Sequence, residues 1–278
     1  MRDQSVGVRR GVGWMAMLAG AWLGGGRVWL VEGGVKRTPA VLDLSQEVGD
    51  WRDYGLLGLA LDPNFAANGY IYLSYVVDYH HARYFGTPQY SPTTDEYFRD
   101  TIGRVTRYQL NAADNFRSAV PGSRVVLIGE SLSTGIPMCH QSHGIGSLAF
   151  GEDGTLIVGA GDGARYEGMD NRGPRSGSSN TALADGIITA AEDVGAFRAQ
   201  LLDSHCGKML RIDPATGNGV PSNPFYNAAA PRSPRSRVWA MGFRNPFRFS
   251  IRPGTGNPSA AAADPGTLYI GDVGWANW

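Results

Sequence analysis

Phe150-Gly151-Glu152-Asp153-Gly154-Thr155-Leu156-Ile157-Val158-Gly159-Ala160-Gly161-Asp162-Gly163 reads as a strand end, a tight Asp-Gly turn and a second apolar strand. Asp-Gly between apolar runs is a strong hairpin signal. The same sentence occurs earlier as Leu61-Asp62-Pro63-Asn64-Phe65-Ala66-Ala67-Asn68-Gly69-Tyr70-Ile71-Tyr72-Leu73-Ser74-Tyr75. A third copy runs from Ile251-Arg252-Pro253-Gly254 through an insertion to Gly266-Thr267-Leu268-Tyr269-Ile270-Gly271-Asp272. Between the copies lie Gly103-Arg104-Val105-Thr106-Arg107-Tyr108 and Gly207-Lys208-Met209-Leu210-Arg211-Ile212-Asp213. Their alternation predicts half-exposed strands with the basic residues facing outward. Hairpins plus further strands, repeated, are the material of a β-propeller at four strands per blade. A β-sandwich with decorated loops is the alternative.

Working outward, the excess length between repeats sits in polar insertions at about 78–101 and 164–200. Such insertions on an all-β frame usually line a functional face. The second is expected to carry a short helix around Ala190–Leu202. Complete units cover roughly 55–110 and 146–213. Partial units start near 26 and at Arg237, which makes about three blades. An arc of that kind leaves sheet edges unpaired. The terminal Asp272-Val273-Gly274-Trp275-Ala276-Asn277-Trp278 breaks off mid-motif. The chain is therefore expected to be the N-terminal part of a longer protein, and to aggregate and lack activity by itself.

Composition supports an ordered, turn-rich β protein. Of 278 residues, 39 are Gly and 18% are charged; average Gly usage is only about 7%. Twenty-five basic and 25 acidic residues balance, which gives no electrostatic footprint for nucleic acid or a polybasic membrane contact. No apolar run reaches the ~20 residues of a membrane span. Residues 1–25 hold Arg9-Arg10 and then a short apolar run. They read either as a secretory leader or as an incidental or misassigned start. Export, periplasmic or secreted, is the expectation that follows from the first. Cys139 and Cys206 are too few for a disulfide scaffold, and whether they pair is open.

His143 lies in His140-Gln141-Ser142-His143-Gly144-Ile145-Gly146-Ser147-Leu148, a Gly-flanked segment entering a strand. Asp162, at the far end of the following hairpin, can return to the same end of the blade. A carboxylate that fixes a histidine tautomer is what a general base requires, although a loop histidine near a turn aspartate is also a common structural pair. Arg244-Asn245-Pro246 offers a guanidinium fork and an amide to an anionic or carbonyl ligand. A structural arginine pairing with a neighbouring blade would look the same.

Taken together, Gly55-Leu56-Leu57-Gly58-Leu59-Ala60-Leu61-Asp62-Pro63, Ser142-His143-Gly144-Ile145-Gly146-Ser147-Leu148, Gly161-Asp162-Gly163, Gly207-Lys208-Met209-Leu210-Arg211-Ile212-Asp213-Pro214, Arg244-Asn245-Pro246 and Tyr269-Ile270-Gly271-Asp272-Val273-Gly274 resemble, in order, the soluble quinoprotein glucose/sorbosone dehydrogenases. The resemblance runs from about residue 26 to the last residue and implies a six-bladed propeller, so residues 26–278 would be a C-terminally incomplete domain. It implies oxidation of a sugar or related polyol by pyrroloquinoline quinone (PQQ), with calcium and a separate electron acceptor. In that family pattern His143 is the general base and Asp162 its orienting carboxylate. Arg244 and Asn245 contact the quinone carbonyl region, Asp53 sits at the pocket, and the carbonyls of Gly274 and Trp275 bind calcium. The cofactor's remaining basic partners would lie in later blades. The family also includes propellers without demonstrated catalysis, so a module binding carbohydrate or protein is the alternative.

Overall fold

A computed structural model describes residues 4–10, 13–20, 25–166 and 181–274 of the chain. Its sheets are all antiparallel. In the first, β1 (Gln4–Arg10), β2 (Gly13–Gly20), β3 (Arg27–Glu32) and β4 (Val35–Lys36) pair in order, with β5 (Leu42–Asp43) also on β3. The second runs from β6 (Leu56–Leu61) to β7 (Tyr70–Val76) and β8 (Thr101–Gln109). There β9 (Val125–Ile128) and β10 (Ile136–Met138) both pair. The third is β11 (Ile145–Phe150), β12 (Leu156–Ala160), β13 (Lys208–Ile212) and β14 (Val238–Met241) in sequence order. The hairpin of β15 (Pro246–Ile251) and β16 (Leu268–Asp272) makes the fourth. Where the sequence arithmetic expects about three blades, the described residues carry four sheets.

All three repeated hairpins are present, as β6–β7, β11–β12 and β15–β16. Asn68-Gly69 differs in detail: it ends a single helical turn, α1 (Phe65–Asn68), held by Asp62 Oδ1 accepting from the Asn64 N–H and Asn68 Nδ2. The segment after Arg237 does not begin a new unit. Val238 and Ala240 register on Leu210 and Met209, so it closes the third sheet as β14. Two 3-10 turns, Ala190–Glu192 and Gly195–Gln200, take the place of the expected helix near 190–202.

The strands read as half-exposed, β8 and β13, are almost wholly buried, and β7, the neighbour of β8 in the second sheet, shows why. Along β7, Ile71, Leu73 and Tyr75 join a cluster with Val28 and Leu30 of the first sheet. The alternate residues Tyr72 and Val76 join one with Leu148, Val158 and Leu210 of the third. A sheet packed between two neighbours has no water face, so alternation there selects a neighbour rather than solvent. Each fully buried Leu or Ile contributes roughly 1.5–3 kcal/mol. The basic residues follow. Arg211 turns inward to Asp153, with Nη2 to Oδ2 at 2.6 Å, and Arg104 to Glu47, with Nη1 to Oε1 at 2.6 Å. Lys208 donates to the carbonyls of Arg198, Ala199 and Cys206 at 3.2, 2.9 and 2.7 Å.

Strand β11 lies against both β6 and β15 across the sheets. Gly146 permits this, because a Cβ there would sit 2.7 Å from the Phe247 carbonyl oxygen. Ser74 Oγ bonds the Gly146 carbonyl at 2.7 Å and Ser147 Oγ the Phe247 carbonyl at 3.1 Å. The three strands start at the same end of the molecule. Both insertions leave from that end too, between β7 and β8 and between β12 and β13. They also fasten to each other. Asp100 Oδ2 accepts the Thr181 and Ala182 N–H groups at 2.8 Å, and Tyr79 OH meets Asp185 Oδ2 at 2.9 Å.

No helix among the described residues is long and apolar enough to cross a membrane. Cys139 and Cys206 are both buried and neither is in a disulfide, and burial pushes the Cys206 thiol up to about 12.

Candidate active site

A cleft of about 320 Å³ opens at the starts of β11 and β15. Its walls include Asp53, His143, Arg244, Asn245 and Gly274, which the sequence singled out from four distant segments. Asp162 stands behind His143, buried at 2% exposure. Trp275 lies outside the described residues.

His143 has φ 54°, which turns the chain sharply just before β11. The hairpin then brings Gly161 back against it, where a Cβ would fall 2.3 Å from the His143 carbonyl oxygen. Two backbone bonds lock the crossing, Gly161 N–H to the Gly144 carbonyl at 2.8 Å and Gly163 N–H to the His143 carbonyl at 2.9 Å. Asp162 Oδ1 consequently sits 3.0 Å from His143 Nδ1, and it also accepts the Ala164 N–H at 2.9 Å.

On the other side of the ring, Arg244 Nη1 lies 2.6 Å from His143 Nε2. A guanidinium only donates, so Nε2 must be the unprotonated nitrogen and Nδ1–H the donor to Asp162. The tautomer follows from chemistry at both ends. It leaves the basic lone pair on the side of the cleft, shared with Arg244.

Asp272 holds the Arg244-Asn245 turn. Its Oδ2 accepts the Arg244 N–H at 3.2 Å and its Oδ1 the Asn245 N–H at 2.7 Å. The Asp162 N–H donates to the Arg244 carbonyl at 2.8 Å, which ties the two halves of the site together. Asn245 Oδ1 is buried without a hydrogen-bond partner. A stranded buried acceptor costs roughly 1–3 kcal/mol, and at a cleft wall it is a ready contact for a ligand.

Behind the pair, Arg198 is fully buried. It donates to the carbonyls of Asp162 at 3.3 Å, Gly163 at 3.2 Å and Glu192 at 3.2 Å. Lys208 in turn holds the Arg198 carbonyl. Burial lowers the Lys208 ammonium to about 8. These two cations brace the loop that carries Asp162.

Sequence reasoning missed Tyr166, Phe247 and Val273 on the cleft wall, and the bracing pair Arg198 and Lys208. Asp272 and Val273 stood within a quoted motif without a role. Tyr166 and Arg198 lie in the long second insertion, where no local pattern marks them. Among the described residues no group of His, Cys, Asp or Glu is arranged to hold a metal ion.

Residues 23–259 match the family model of glucose/sorbosone dehydrogenase. Mouse Hedgehog-interacting protein is 34% identical over 209 residues, 73% of this chain and 23% of that protein. A crystal structure of glucose dehydrogenase superposes at TM-score 0.59 with 20% identity, covering 97% of this chain and 56% of the other. The PQQ-bound aldose sugar dehydrogenase of Streptomyces coelicolor superposes at 0.50, also 20% identical, over 88% and 56%. The structural likenesses carry the β-propeller fold. The chain spans about a quarter of that curated relative and just over half of these two solved chains.

Proposed function

The chain belongs to the glucose/sorbosone dehydrogenase family, and on that premise we propose that it oxidises a sugar or related polyol as part of a six-bladed, PQQ-dependent dehydrogenase. The observation that carries this is the His143 arrangement. One nitrogen is committed to a buried carboxylate and the other faces a cleft beside a fixed arginine and an amide.

The donor set fits PQQ. Arg244 presents a guanidinium fork to an anionic or carbonyl-bearing ring, Asn245 has an unpaired amide oxygen, and Tyr166 and Phe247 supply flat walls. The Gly274 carbonyl, with that of Trp275, would hold calcium, a cation that takes oxygen ligands. When bound, the quinone supplies the electrophilic carbonyl that accepts hydride from the substrate carbon.

The protein's own groups do the rest. A ligand carbonyl that draws the Arg244 donors toward itself frees the Nε2 lone pair of His143. That lone pair takes the substrate hydroxyl proton. Asp162 holds Nδ1–H in place and offsets the charge of the imidazolium that forms. Arg244 and Asn245 orient the acceptor, with Asp53 as a further cofactor contact on the same cleft wall. Electrons leave afterwards to a separate acceptor. An exported location, periplasmic or secreted, suits this chemistry.

The likeness to Hedgehog-interacting protein supports a second reading, a propeller that binds without catalysis. A pure binding module needs no base with an orienting carboxylate. Titration with PQQ and calcium, followed by dye-linked sugar oxidation, separates the two. The enzyme reading expects a quinone spectrum that shifts on binding and a turnover that His143→Ala removes. PQQ binding without any effect of His143→Ala would sink it.

A further inference from the structure

Away from the cleft, the first insertion covers a second groove, built around Glu47. Asp78 caps α2 (Tyr79–Tyr84), its Oδ1 accepting the His80 and His81 N–H groups at 2.8 and 3.4 Å. That short helix sets His81 beside Glu47, with Nε2 3.9 Å from Oε2, and ends at Phe85. Two hollows of about 320 and 350 Å³ meet here, and His81, Phe85 and Arg124 line both. Neither shares a lining residue with the His143 cleft.

Charge does not balance in this groove. Glu47 Oε1 accepts from Arg104 Nη1 at 2.6 Å, Arg124 Nη2 at 2.5 Å and the Tyr75 hydroxyl at 2.7 Å. Those donors already exceed the roughly two acceptor sites of one carboxylate oxygen. Burial pushes the Glu47 carboxyl up, but the Arg104 and Arg124 charges outweigh it and keep it ionised. Burial also lowers His81, so that ring is neutral. The other acids on the walls are committed elsewhere, Asp43 to Arg27 at 2.8 Å and Glu130 to Arg232. Two guanidiniums against one carboxylate leave a single positive charge. Arg124 presents it: Nη2 serves Glu47 and Tyr75, Nε–H is buried without a hydrogen-bond partner, and 32% of the side chain is exposed.

An apolar ring lies beside the charge. Phe85 is 62% exposed, stacks on His81 at 4.5 Å and 19°, and meets Tyr90 edge-on at 5.2 Å. A lone exposed ring is ordinary, but this one lines the same hollows as the uncompensated guanidinium. We propose that the groove binds a small organic carboxylate with a flat, ring-shaped body, its carboxylate on Arg124 and its ring against Phe85. A guanidinium fork matches the two oxygens of a carboxylate, and ring against ring takes apolar area out of water. Each hollow has the size of a small ligand pocket, roughly 300 Å³ upward. Glu47, Asp43 and Glu130 around the groove favour a single negative charge over a polyanion. The site is independent of the reading of the His143 cleft.

The test is a ligand-observed NMR titration of the full chain with benzoate, its neutral counterpart benzamide, acetate and inorganic phosphate. Benzoate is expected to bind about tenfold more tightly than benzamide, and ahead of acetate and phosphate. Phe85→Ala, a change at an exposed position, should weaken benzoate about three- to tenfold and leave acetate unchanged. Arg124→Gln should abolish the preference for benzoate over benzamide; should that variant not fold, Phe85→Ala carries the test. Arg244 offers a guanidinium in the cleft, so Arg244→Gln sites the binding, and benzoate affinity is expected to survive it. No benzoate binding, benzamide equal to benzoate, or phosphate ahead of benzoate would overturn the proposal. So would an affinity lost in Arg244→Gln and untouched by Phe85→Ala.

Discussion

His143 and His205 carry the same pair of contacts in different surroundings. At His143, Arg244 Nη1 stands 2.6 Å from Nε2, and Asp162 Oδ1 3.0 Å from Nδ1. At His205, Arg237 Nη1 stands 3.3 Å from Nε2, and the Gly135 carbonyl 3.1 Å from Nδ1. Both rings are therefore neutral, with the proton on Nδ1. The partners then diverge. Arg237 is fully enclosed and spends its remaining donors on the Gly217 and Leu127 carbonyls, at 2.8 and 3.0 Å. Burial, followed by the Arg237 charge, lowers His205 to about 3. Its orienting group is a neutral carbonyl, which offers an imidazolium no counter-charge. His143 has a carboxylate behind it and a cleft in front. Identical wiring makes a joint between sheets in one place and a candidate base in the other; the difference lies in the charge of the acceptor and the access to Nε2.

The strongest way to break that comparison is to change the acceptor at His143. In Asp162→Asn the amide can donate to Nδ1 and drive the proton to Nε2, which removes the lone pair from the cleft. Dye-linked turnover of the PQQ-loaded protein should fall about 10²–10⁴-fold, with the unfolding midpoint little changed. Full turnover in this variant would leave Asp162 as a structural residue.

Next in size is Arg237→Leu, which strands the Gly217 carbonyl and His205 Nε2 inside the protein. At roughly 1–3 kcal/mol for each stranded group, urea unfolding should register a loss of about 2–6 kcal/mol. Turnover per folded molecule should stay the same. An activity defect at full stability would show that the His205 joint communicates with the cleft.

The proton linkage of His205 is smaller at any one pH and has a definite sign. Between about 3 and the ordinary histidine value near 6.5, the unfolded chain binds a proton that the folded chain refuses. Stability is fully present above that window and falls as pH drops through it, by up to about 1.4 kcal/mol per pH unit. His81, lowered mainly by burial, acts in the same direction. Comparing unfolding midpoints at pH 7 and pH 5 should show His205→Gln less acid-sensitive than the parent. An unchanged acid slope would assign the effect to other groups.

The smallest effect is expected at Asn245→Leu. Removing an acceptor that already lacks a partner should change stability by less than about 1 kcal/mol. The same change should reduce the thermal stabilisation that added PQQ confers, because ligand binding to the folded state is what raises the midpoint. Undiminished stabilisation would place the cofactor contact elsewhere in the cleft.

The sequence by itself determined the repeated hairpins and the residues worth watching. Asp153-Gly154 and its counterparts are local chemistry, written in neighbouring residues, and so are the Gly-flanked His143 and the Arg244-Asn245-Pro246 turn. That was enough to name His143, Asp162, Arg244 and Asn245 before any of them could be placed, whereas Asp53 and Gly274 came only from the resemblance to the quinoprotein dehydrogenases. Tertiary structure decided which of them meet. The β6, β11 and β15 strands start at one end, and that shared end gathers distant segments around a single cleft. It also reversed the reading of Lys208 and Arg211. Alternation in one strand records that its two faces differ, but what each face meets depends on the sheet packed against it. A sheet enclosed by two neighbours buries both faces, and its basic residues must then find carbonyls or carboxylates inside. Tyr166 and Arg198 were invisible for the related reason that a loop's position is set by what it packs on. The second insertion is positioned by its bonds to Asp100 and Tyr79 of the first, which no local pattern in either segment records.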